Sequence, residues 1–265
     1  MLGTLKKAGE ILSLFAKSQP ELGVTEAAEA LGIAKSSACA IMSSLAQIGL
    51  LRRTPQNRYR LGWRLLELGS ILMESTEFRL EALPEMQRLV DRFGETVHLV
   101  VLEGFEVVYV AKMEGTRAVR IAASAIGARL PAYCTGVGKV LLAELPWDEV
   151  QGYIAAYGMK AVTVNTITEP ERLKAELELV RQQGFAYDLE ELVPELCCVA
   201  APVRDYTGQA VAAISLSVPS YRFYRSRDAM RVEVLRAARQ ISGNLGYVPA
   251  VCRTRRLQRC CAKEG

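Results

Sequence analysis

The sequence carries a single histidine, His98, in 265 residues. Any Ser-His-Asp set, Cys-His pair or multi-histidine metal site would have to use it. It stands inside an apolar segment, where a lone histidine reads as a core residue with satisfied polar atoms. The chain also lacks an apolar run near the ~20 residues that span a bilayer. Lys6 and Lys7 precede apolar residues, but Glu10 and Lys17 interrupt them and no small-residue cleavage site follows. Neither a secretory leader nor a membrane partner is expected, and the location read is cytoplasmic. No CxxC pair occurs among Cys39, Cys134, Cys197, Cys198, Cys252, Cys260 and Cys261, so free thiols are expected. The tail cysteines have no histidine nearby and read as no zinc site. Gly138-Lys139 fails as a phosphate loop, because Tyr133 stands where its first glycine belongs and Val140 where Ser or Thr belongs. A GxGxxG fingerprint, internal repeats and low-complexity stretches are absent. Glu190-Glu191, close to Asp188, reads as solvated loop charge. With no cofactor motif and no catalytic set, an enzyme is not expected.

Charge is present but uneven. The net value is only +4, yet residues 1–75 carry a balance of +3, residues 248–265 of +4, and the middle of −3. A basic head on an acidic body suits a polyanion-binding module joined to something else.

The head has a pattern. Leu5, Ala8, Ile11, Leu12 and Phe15 recur at helical spacing, and Pro20 and Gly23 end that helix. Thr25 is positioned to cap a second helix through Leu31. Gly32 breaks the chain, and a third helix is expected over Lys35–Ile48. Its apolar face is Ala38, Ile41, Met42, Leu45 and Ile48. The opposite face holds Lys35, Ser36, Ser37, Cys39, Ala40, Ser43, Ser44 and Gln47. Helix, glycine turn, helix is the frame of a helix-turn-helix. Its second helix needs a narrow face of small polar side chains, because bulky ones would hold the backbone away from base edges. Leu50–Arg53 and Arg58–Gly62 then read as two strands around Thr54-Pro55-Gln56-Asn57, a hairpin wing. Arg58 and Arg60 are expected outward, alternating with Tyr59 and Leu61 inward. The duplex-contacting set read from these residues is Thr25, Lys35, Ser36, Ser37, Cys39, Ala40, Ser43, Arg58 and Arg60.

Leu65–Leu83 reads as a connecting helix ending at Pro84, able to pair with its copy in a dimer. Met86, Leu89, Val90 and Phe93 form a face of the next helix. From Thr96 the period shortens to two. Strands are expected at Val97–Leu102, Val107–Val110, Val119–Ala123, Phe185–Asp188, Cys197–Arg204 and Ala210–Val218. Helices are expected at Val140–Leu145, from a Thr168–Glu171 capping box to Gly184, and from Ser226 to Gly246. Hairpins mixed irregularly with helices argue for an α+β fold, a mostly antiparallel central sheet flanked by helices. The organisation read is a winged helix-turn-helix at 1–63, a linker helix at 64–83, a larger domain at 84–247 and a basic, Cys-containing, disordered tail at 248–265.

Six segments carry a family resemblance: Leu31–Ser37, Tyr59–Gly62, Gly94–Leu99, Thr135–Ala143, Gly184–Asp188 with Glu190-Glu191, and Cys198–Val203 with Gly208. In this order and spacing the chain resembles the IclR family of transcription regulators over almost its full length. The resemblance implies a GAF-like sensing domain, a palindromic double-stranded DNA operator, a homodimer or dimer of dimers, and a small organic effector, often a carboxylate or aromatic metabolite. Two departures stand out. The family usually has Arg where Ala40 stands and often His or Tyr where Cys39 stands. The glycine that commonly follows the acidic loop is replaced by Leu192–Leu196.

An effector site follows. Gly136 and Val137 open a helix, where free amides and the helix dipole suit an anion and glycine admits close approach. The resemblance implies that Asp188 and Cys198 face the same pocket, with Val119, Ala122, Leu130 and Leu196 as apolar walls. Lys139 is expected to bond loop carbonyls or an acidic neighbour instead. Effector binding would shift the spacing of two reading heads, which helix-turn-helix dimers hold about 34 Å apart.

Overall fold

The computed structural model describes residues 3–16, 18–117 and 124–249. They form two compact units, residues 1–75 and 76–265.

In the first unit, α1 (Gly3–Ser13), α2 (Val24–Leu31) and α3 (Lys35–Gln47) precede a hairpin of β1 (Leu51–Arg53) and β2 (Tyr59–Leu61), and α4 (Arg64–Ser75) follows. The core is Ile11, Leu22, Ala27, Ile41, Met42, Leu45, Leu51 and Tyr59, drawn from every element except α4. Gly32 closes α2 at φ 61°, ψ 35°, the left-handed conformation that glycine adopts without strain. The cap of α2 is Gly23, whose N–H donates to Glu26 at 3.1 Å, so Thr25 lies inside the first turn and is not the cap. Ile48 departs from the apolar set of α3; it is the C-cap and is 62% exposed.

The second unit is one antiparallel sheet between helical layers. Its strands are β3 (Thr96–Glu103), β4 (Glu106–Met113), β5 (Arg129–Pro131), β6 (Ala186–Leu189), β7 (Leu196–Arg204) and β8 (Ala210–Pro219), in spatial order β5-β4-β3-β8-β7-β6. On one face α5 (Glu77–Phe93) and α9 (Ser220–Asn244) bury Met86, Leu89, Phe223, Val234 and Ile241 against Val97, Leu99, Val199, Ile214 and Leu216. On the other, α6 (Gly136–Leu142), α7 (Trp147–Tyr157) and α8 (Pro170–Gln183) pack over Val100, Val107, Tyr109, Ala186, Ala200 and Ala213. Period two alone assigns the faces of β8: Ile214, Leu216 and Val218 go to the first and Ala213 to the second.

Several local expectations change. The helix read over 65–83 is two helices, α4 ending at Ser75 and α5 starting at Glu77. Pro84 lies within α5 and does not end it. Losing one backbone bond there costs about 3 kcal/mol. Burial of Ala82, Met86, Leu89 and Val90 along one stripe outweighs that at about 1.5–3 kcal/mol for each large side chain. Glu169, not Thr168, caps α8, with Pro170 at its first turn. The last helix starts at Ser220 and only kinks at Ser226. Strand β5 and helix α7 were not foreseen. The Val119–Ala123 strand and tail residues 250–265 lie outside the described residues.

Candidate functional site

Helix α3 separates its faces as the periodicity requires. Ala38, Ile41, Met42 and Leu45 are buried, while Lys35, Ser36, Ser37, Cys39, Ala40, Ser43, Ser44 and Gln47 are exposed. No side chain caps its start and its first turn holds no acid. The amides of Lys35, Ser36 and Ser37 therefore have no intrahelical partner, as the opening donors of any α-helix do not.

The wing departs from its alternation. Tyr59 is 3% exposed, but Leu61 is 45% exposed and points to solvent. Arg58 is not a projecting cation. Its Nη1 and Nη2 donate to the two Glu26 oxygens at 2.8 and 2.7 Å, and Nη2 also donates to the Glu21 carbonyl at 3.2 Å. Arg60 Nε donates to Glu21 Oε1 at 2.6 Å. Exposed Arg52 and Arg53 lie on the opposite strand, with Arg52 over the Trp63 ring at 5.3 Å.

In the second unit, Leu130, Gly136, Val137, Asp188, Leu196 and Cys198 all line one cavity of about 30 Å³. These residues come from β5, α6, β6 and β7, far apart in the chain. Val119 and Ala122 lie outside the described residues. Sequence reasoning missed His98, Tyr109, Ser124, Thr135, Leu192, Val193, Ser215 and Ser217 on the same wall. Alternation could have found Ser215 and Ser217, the only polar residues on one face of an apolar strand. Tyr109 was less accessible to that rule. The register of β3 on β4 skips Val110, a bulge that turns Tyr109 to the cavity face.

A row of polar side chains crosses four adjacent strands. Asp188 on β6 sits opposite Cys198 on β7, which sits opposite Ser217 on β8. Cys198 Sγ and Ser217 Oγ are 3.1 Å apart, and Ser217 Oγ lies 3.2 Å from His98 Nδ1 on β3. Among the described residues His98 Nε2 is buried without a partner, so the reading of a satisfied core histidine does not hold there. Burial, then the Lys112 charge, lowers its pKa to about 3 and keeps the ring neutral. Burial pushes the Tyr109 hydroxyl and the Cys198 thiol up, so both stay protonated.

Asp188 is 3% exposed; burial and the neighbouring Glu191 charge raise its pKa to about 7. Its Oδ1 accepts the Glu191 N–H at 2.7 Å. Glu191 is no solvated loop charge. It is buried, and Lys139, 1% exposed, donates to it at 2.5 Å and to Glu176 at 2.9 Å. Burial opposes the Lys139 charge, but the two carboxylates outweigh it and raise its pKa. Lys139 thus bonds acidic neighbours, as expected. Thr135 caps α6 by accepting the Gly138 N–H at 3.0 Å. A Cβ on Gly138 would stand 2.1 Å from the Ala132 carbonyl, so only glycine fits there. A Cβ on Gly136 would meet nothing nearer than 3.4 Å, so neighbouring protein does not require that glycine.

Residues 71–243 match the model of the bacterial transcriptional regulator IclR C-terminal domain, and residues 4–55 that of the IclR helix-turn-helix domain. The chain is similar to the HTH-type transcriptional regulator XynR of Escherichia coli, 35% identical over 249 residues, 93% of this chain and 98% of that protein. It is similar to KdgR of the same organism, 33% identical over 249 residues, 93% and 91% respectively. Among solved structures it resembles the IclR of Thermotoga maritima at 36% identity and TM-score 0.71, covering 93% of this chain and all of that one.

Proposed function

The chain belongs to the IclR family of bacterial transcriptional regulators, and from this premise we propose that it binds a palindromic operator as a homodimer or dimer of dimers under control of a small organic acid. One observation carries the DNA reading: α3 buries one face and offers another whose side chains are mostly small and polar. Its open first-turn amides and the hydroxyls of Ser36, Ser37 and Ser43 suit phosphates and base edges. Cys39 and Ala40 leave room for close approach, Lys35 adds a cation on the same face, and exposed Thr25 on α2 is assigned to the DNA contacts with them. Helix α4 buries none of its residues and exposes Leu68, Ile71 and Leu72 along one face. A second copy is the occupant proposed for that stripe.

The effector reading rests on the convergence of Leu130, Gly136, Val137, Asp188, Leu196 and Cys198 on one cavity. An effector carboxylate would take the Gly136 and Val137 amides, and Asp188 and Cys198 its other polar groups. Below about pH 7, Asp188 is mostly protonated and adds no full negative charge to repel an anion. A cavity of about 30 Å³ falls far short of the roughly 300–1,000 Å³ of small-molecule pockets, so an organic effector must displace a wall. That displacement is how binding energy would reach the dimer, within typical couplings of about 1–3 kcal/mol.

The test is footprinting on the DNA upstream of the protein's own gene. A dissociation constant near ~10⁻⁸ M, weakening steeply with salt, is expected. Sequence-blind binding that survives deletion of residues 1–62 would refute it. A second reading, a sensor with a weakened DNA head, is favoured by Ala40 standing where the family usually has Arg. Ligand binding without operator preference would select it. In thermal-shift screening of small carboxylates and aromatic acids, a hit unaffected by both Asp188→Asn and Cys198→Ala would place the effector elsewhere.

A further inference from the structure

Wing hairpins meet DNA through cations, and this wing carries four arginines with two different surroundings. On β2 and just before it, Arg58 and Arg60 face Glu21 and Glu26. Two cations meet two carboxylates, so the cluster of Arg58, Arg60, Glu21 and Glu26 carries no net charge. The Arg58–Glu26 pair is bidentate, the geometry a planar guanidinium holds best. Glu26 also accepts the Gly23 N–H that opens α2. Beside it, Leu22 and Tyr59 exchange backbone bonds at 2.9 Å in both directions. Arg58 therefore joins the return strand to the start of the helix-turn-helix at the point where the chain already bridges. To reach a phosphate it would have to leave Glu26, and that carboxylate would then face a polyanion.

The outgoing strand is different. Arg52 and Arg53 are exposed, and among the described residues no carboxylate pairs with either. Arg52 lies over Trp63, which leaves its charge intact. We infer that Arg53 and Arg52 on β1 are the wing's phosphate contacts, and that Arg58 is a positioning residue clamping the wing to α2 through Glu26. This rests on the DNA-binding reading above and reassigns the wing's role within it.

Counterion release reads the difference, because each neutralised phosphate adds about 0.9 to the slope of log K against log salt. The probe is a random-sequence 30-base-pair duplex, titrated with full-length protein between about 50 and 200 mM salt. Arg53→Ala alters an exposed, unpaired side chain and is expected to keep the wild-type melting temperature. It should lower the slope by about 0.9, making the affinity loss across that salt range about 3-fold smaller. The double variant Glu26→Gln with Arg58→Gln keeps a hydrogen-bonding pair of zero net charge and should leave the slope unchanged. A slope lowered by about 0.9 in the double variant, or unchanged in Arg53→Ala, would overturn the assignment. Wild-type protein that binds no duplex would overturn the DNA reading as well, and that is measured first.

Discussion

Replacing Asp188 by Asn should unmask a pH response that two buried groups of the cavity otherwise cancel. Two buried groups titrate in opposite senses. Asp188 rises from an ordinary 3.8 to about 7, and His98 falls from 6.5 to about 3. A raised carboxyl binds its proton more tightly in the folded state, so its contribution falls as pH rises between about 4 and 7. A depressed histidine leaves the unfolded chain binding the extra proton, so its contribution grows as pH rises from about 3 to 6.5. Each slope is about 1.4 kcal/mol per pH unit. Between pH 4.5 and 6.5 they cancel in the wild type. Asp188→Asn still accepts the Glu191 N–H but leaves only the histidine slope. Its stability relative to wild type should therefore climb by about 3 kcal/mol across those two pH units, roughly 6–12 °C in melting temperature. His98→Gln should drift by a similar amount in the opposite direction. A Trp63→Phe background leaves Trp147 as the sole tryptophan, so its fluorescence reports the second unit. Differences between variants cancel every other titrating group. Parallel profiles for wild type and Asp188→Asn would mean that Asp188 titrates like a solvated carboxylate, and the account of a buried, desolvated Asp188 would fail.

Lys139→Met should cost about 3–5 kcal/mol in urea unfolding, since it leaves Glu191 and Glu176 facing each other without the buried ammonium. A loss under 1 kcal/mol would show that the cluster relaxes into water. Gly138→Ala should destabilise the second unit by about 3 kcal/mol or more, because the added methyl meets backbone at Ala132. Gly136→Ala, with only ordinary contacts waiting, should cost about 1 kcal/mol or less by the same assay.

Periodicity alone specified much of this protein. Ala38, Ile41, Met42 and Leu45 face inward and the serines outward because a helix repeats every 3.6 residues whatever it packs on. The strand pairs β3–β4 and β7–β8 were likewise legible, because hydrophobic alternation and turn residues are local signals. Six residues of the cavity in the second unit are legible in the sequence, those around Gly136 and Asp188 as much from family resemblance as from physics. Tertiary structure decided the rest, wherever a residue's role depends on what distant chain brings to it. Arg58 looks like a free wing cation until Glu26, 32 positions earlier, takes both its terminal nitrogens. Pro84 should end a helix until the sheet repays its missing bond. His98 looks like a satisfied core residue until Ser217, 119 positions later, meets one nitrogen and the other stays buried with no partner among the described residues. Ion pairs, bulges and cavity walls depend on spatial neighbours, and a sequence lists only neighbours along the chain.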